Sequence, residues 1–113
     1  MRLGSIAHVR TGDKGDIAQL SVIAFQPVDY GRLAREITVR RVQNLFSDLP
    51  ITAVRRFELP SLGALMFVLD GAHGGGVTRS LALDAHGKTL GGRLIDLELT
   101  SPTHRLRARD ASG

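Results

Sequence analysis

The chain has 113 residues, 42% of them hydrophobic and 23% charged, with a formal net charge of +4 at pH 7. That length provides one core and no second cofactor-binding lobe, and with no cysteine the chain has no disulfide framework, thiolate zinc site or thiol catalysis. The longest wholly apolar run, Ala64 to Leu69, is far short of the roughly 20 residues that span a bilayer, and Met1-Arg2-Leu3-Gly4 lacks a signal-peptide pattern, so no membrane partner is expected and the cytoplasm is the expected compartment.

In chain order, Leu3 to Val9 reads as a first strand and Ile17 to Phe25 as a second, with Ala18, Leu20, Val22 and Ala24 on one face. Pro27-Val28-Asp29 opens a helix with Asp29 as the expected N-cap, and Thr38 caps a second helix. Val39, Val42, Phe46 and Leu49 recur at intervals of three and four, an apolar stripe that faces a sheet and ends at Pro50. Ile51, Ala53, Phe57 and Leu59 alternate with Thr52, Arg56 and Glu58, which predicts a half-buried strand with the first set inward. Pro60-Ser61 turns the chain into a fully buried strand over Leu62 to Leu69, and Ser80 to Leu83 reads as a short strand before the turn Asp84-Ala85-His86-Gly87. The final element is ambiguous. Gly91-Gly92 would cost a helix interior roughly 1 kcal/mol per glycine, so a short turn or helix over Thr89 to Arg93 and then a strand to Leu99 is expected. The sum is a single domain over 1–100, a two-layer α+β fold of the ferredoxin-like class: a mostly antiparallel sheet with helices on one face. Residues 101–113 read as a basic, frayed tail.

Lysine occurs only at Lys14 and Lys88, so arginine carries nearly all the positive charge. With 4% aromatic residues, no tryptophan and no recognised binding motif, nucleic acid is not an expected partner.

Two glycine-bearing polar segments carry the candidate chemistry. The first runs from His8 to Asp16. Its Thr11-Gly12-Asp13-Lys14-Gly15-Asp16 core is neither a P-loop nor a calcium loop, because the ligand spacing of both is missing. It reads either as a tight strand connection or as a site in which Asp13 or Asp16 is base or anchor and Lys14 holds an anion. His8 and Arg10 share a strand face; His8 is a candidate acid or base, or else a locally bonded strand residue. The second segment is Asp70 to Ser80, whose His73-Gly74-Gly75-Gly76 echoes an esterase oxyanion motif without the G-x-S-x-G that motif requires. Gly74, Gly75 and Gly76 could form a backbone N–H nest for an oxyanion, with Thr78, Ser80 and Arg79 as further donors; equally, they could form a plain loop. The four histidines show no metal-ligand spacing, so no metal and no cofactor are expected.

The pattern His8-x-Arg10-x-Gly12-Asp13-Lys14-Gly15, then Leu59-Pro60-x-Leu62-Gly63-Ala64-Leu65-x-Phe67, then Gly74 to Leu81, then Leu83-Asp84-x-x-Gly87-Lys88, resembles the small C-terminal domain of the AtuA-like family, named for acyclic terpene utilisation. The resemblance covers about Leu3 to Leu99. It implies a ferredoxin-like module, a role in bacterial breakdown of acyclic terpenoids such as citronellol and geraniol through acyl-CoA intermediates, and an anionic acyl or CoA-type ligand. It further implies that a large AtuA-like N-terminal-type domain, which family members carry ahead of this module, is supplied by a separate subunit. The alternatives are a small free-standing lyase or hydratase with Asp13 or His8 as base, and an anion-binding module that forms a homo-oligomer through sheet edges.

Overall fold

The computed structural model describes residues 1–72 and 90–100. The expected strand over Ser80 to Leu83, the following turn and the basic tail lie outside these residues.

Four strands form one sheet in the order β1-β2-β4-β3, every neighbouring pair antiparallel: β1 Ala7–Lys14, β2 Ile17–Ala24, β3 Ala53–Leu59 and β4 Ala64–Asp70. Among the described residues three α-helices accompany them, α1 Tyr30–Glu36, α2 Val39–Leu45 and α3 Leu90–Ile95. Because β2 and β3 are both antiparallel to β4, they run parallel to each other with β4 between them. The unit β2-α1α2-β3 is therefore a split β-α-β crossover. Read cyclically from β2, the order β-α-β-β-α is completed by β1, which supplies from the front of the chain the strand that a β-α-β-β-α-β fold carries at its end. At the join, Leu3 N donates to Leu97 O (2.8 Å) and Leu99 N donates to Met1 O (2.7 Å).

The core lies between the sheet and the helices. Leu20 and Val22 stand opposite Phe67 and Leu65, and all four are fully buried with Leu33, Ile37, Val42, Phe46 and Leu94 from the helical layer. Thr38 caps α2 as expected, its Oγ1 accepting from Arg41 N at 3.2 Å. Asp29 precedes α1 without a side-chain cap, because a 3-10 turn over Pro27–Asp29 leads into the helix instead.

Three expectations are corrected. The first strand begins at Ala7, since Leu3–Ser5 is a 3-10 turn, and it runs on to Lys14. Thr11 to Lys14 are thus strand rather than loop, because an edge strand tolerates polar side chains wherever its backbone is paired. In β3 the facing is reversed. Val54, which stands opposite Leu69, is the buried residue, while Ala53 and Phe57 are exposed. Finally, Leu90–Ile95 is a full helix, and the expected strand to Leu99 reduces to a bridge between Arg2 and Glu98.

The arginine excess has structural uses. Arg56 donates to Ala34 O (2.6 Å) and Ile37 O (3.1 Å), closing the C-terminus of α1. Arg93 donates to Leu45 O at 3.1 Å, grips Asp48 with two bonds of 2.7 Å and lies over the Phe46 ring.

A candidate cleft between the first strand and the last helix

Strand alternation divides the first segment between two faces. Val9, Thr11 and Asp13 stand opposite Val22, Leu20 and Ala18, on the helical side. His8, Arg10, Gly12 and Lys14 stand opposite Ile23, Ser21, Gln19 and Ile17, on the other. Asp13 therefore looks one way and His8 and Lys14 the other, so these three candidate residues do not share one face. His8 stacks on Phe25, with ring centroids 5.4 Å apart.

Gly15-Asp16 is the two-residue turn between β1 and β2. Gly15 has φ +61° and, among the described residues, no non-glycine has positive φ, which fits a turn whose first central position calls for glycine. The plain structural reading of this glycine holds. Asp16 does more than turn: its backbone carbonyl accepts from Gly71 N (3.0 Å) and Ala72 N (3.1 Å). The first segment therefore meets the start of the second. Gly74, Gly75, Gly76, Thr78, Arg79 and Ser80, the expected anion nest, lie outside the described residues.

On the helical side, a cleft of about 330 Å³ opens between β1 and α3. Val9, Ala18 and Leu20 form its sheet wall; Leu90, Gly91 and Ile95 form its helix wall. Thr11, Gly12 and Asp13 line it with the one hydroxyl and the one carboxylate that the described residues bring to it. Such a cleft suits an apolar chain whose polar end meets an acceptor, a donor and a titratable group. Its width depends on Gly91, because a Cβ there would fall 2.9 Å from Thr11 Cγ2. The glycine pair and Thr11 are not among the site residues expected from the sequence. The available signal was the cost of two glycines inside a helix, which calls for a packing reason.

At the other end of the helical layer, Glu36 accepts from Thr100 Oγ1 (2.6 Å), Thr100 N (2.8 Å) and Arg32 Nε (3.1 Å). Burial raises its pKa, but the Thr100 and Arg32 bonds and the Arg32 charge outweigh that and hold the carboxyl below its ordinary value. This is a structural tie, outside the cleft. Among the described residues, no group of three His, Asp or Glu is placed to hold a metal, and no helix is long and apolar enough to cross a membrane.

An antiparallel four-stranded sheet, a split β-α-β crossover and one helical layer define a ferredoxin-like α+β domain. Residues 1–100 match the family model of the AtuA ferredoxin-like domain, and the chain belongs to that family. No curated protein matches the chain, and no solved structure does.

Proposed function

We propose that this chain is an accessory subunit of an AtuA-like enzyme in acyclic terpenoid or acyl-CoA breakdown, completing a site on a separately encoded large subunit. The observation that carries the reading is the family match over 1–100. The make-up of the cleft supports it. An apolar floor with one carboxylate and one hydroxyl gives half of an acid–base site, and proton transfer at an acyl substrate needs an opposing group as well. In this reading the cleft receives the apolar chain, Asp13 is the base or polar anchor, and the large subunit supplies the remaining groups.

The test is turnover of a branched acyl-CoA by the large AtuA-type polypeptide of the same organism, with and without this chain. Turnover should need both. Asp13→Asn in this chain should lower kcat about 100-fold or more while the complex still forms. Turnover by this chain alone would instead favour the free-standing small enzyme, and an unaffected Asp13→Asn complex would remove Asp13 from the chemistry.

A further inference from the structure

The sheet face away from the helices carries an unexpected share of the apolar surface. In β3 the more apolar set, Ala53, Phe57 and Leu59, points to this side, while Arg56 and Glu58 point to the helices. Phe57 is 41% exposed and stands opposite Met66. At the same end of the sheet, Phe25 is 53% exposed on its stack with His8, and Leu62 in the hairpin turn is 68% exposed. No described helix covers this face.

The charges on the face are one-sided. Asp70 is its single described carboxylate and is already held by Arg55 through bonds of 3.0 and 3.2 Å. Arg10 and Lys14 project from the edge strand on the same side, and both are exposed. A second copy seated face to face would offer these cations no described carboxylate except Asp70, which Arg55 already holds. A protein surface with an apolar centre and carboxylates at its rim would match both features.

We infer that this open sheet face is the surface that docks the large AtuA-type subunit, through the apolar Phe57, Met66 and Phe25 and, along the β1 edge, Arg10 and Lys14. The inference rests on the subunit reading above and adds the place of contact. Strand β1 belongs to both features, with Val9, Thr11 and Asp13 lining the cleft and His8, Arg10 and Lys14 flanking this face. A domain that sits on the face and reaches round the β1 edge therefore arrives at the mouth of the cleft.

The test is hydroxyl-radical footprinting of the co-purified complex with the large AtuA-type polypeptide, against the chain alone. Met66, Phe57, Phe25 and His8 should lose most of their modification in the complex, whereas Tyr30 in the helical layer should not. The double variant Arg10→Glu/Lys14→Glu should raise the Kd about 10–100-fold, with an unchanged melting curve showing that it folds. A complex that leaves Met66 and Phe57 as reactive as before would overturn the docking site and leave the subunit reading standing. No complex at all would overturn both. Protection that appears with concentration of the chain alone, or with a single-stranded RNA 12-mer, would assign the face to a second copy or to nucleic acid and overturn the proposal.

Discussion

Gly91 stands where α3 comes closest to β1, and its missing side chain is what lets the two approach. A Cβ would sit 2.9 Å from Thr11 Cγ2, a contact that has to be relieved by moving the helix or the threonine. Gly91→Ala should therefore destabilise the fold by about 1–3 kcal/mol despite the better helix propensity of alanine. Thr11→Ser, which deletes that methyl, should recover a large part of the loss in the double variant, a coupling visible in urea unfolding of the four-member cycle. Glu36 makes a separate prediction. Its carboxyl is held below the ordinary value of 4.5, so its stabilising share is complete above that pH and is lost as pH falls through the lower folded value. Wild type should exceed Glu36→Gln in stability at neutral pH, and the gap should narrow under acid. Melting temperatures from pH 7 down to pH 3 would show it; a gap that widened under acid would contradict the assignment.

At the scale of elements, the apolar periodicity of β2, α2 and β4 was legible in the sequence, because in each the buried residues are also the apolar ones. In β3 this equivalence fails. Arg56 faces the helices with its side chain only 18% exposed, since its guanidinium closes the end of α1 on the Ala34 and Ile37 carbonyls. A count of apolar side chains assigns such an arginine to solvent. Arg56→Met keeps the length and the packing but leaves those carbonyls without their donor, and about 1–3 kcal/mol of stability should be lost in denaturant titration. The same limit applies to the candidate site. Polar residues from Thr11 to Lys14 look like a loop when read alone, and only the pairing with β2 reveals a strand that sends Asp13 to one face and His8 and Lys14 to the other. The cleft itself was illegible, because its far wall comes from residues more than 70 positions downstream, at Leu90 to Ile95.

For the molecule as a whole, the sequence indicated the two-layer ferredoxin-like class, but not the order in which the chain visits the strands. An ordinary β-α-β-β-α-β path and this cyclic variant contain the same kinds of element, and local patterns do not distinguish them. The difference lies in the join, where Met1 and Leu3 bond to Leu99 and Leu97. During synthesis Met1 to Leu3 emerge well before the residues they bond, with 98 positions separating Met1 from Leu99. Until then a nascent chain can pair its four strands yet leaves the stretch before β1 unlatched. Ribosome-bound chains carrying a linker that places Asp70 outside the exit tunnel should be cut by protease ahead of Ala7, and chains whose linker places Thr100 outside should resist at the same place. The domain closes at a seam between Met1–Leu3 and Leu97–Leu99, so it is completed only after residues through Leu99 have left the ribosome.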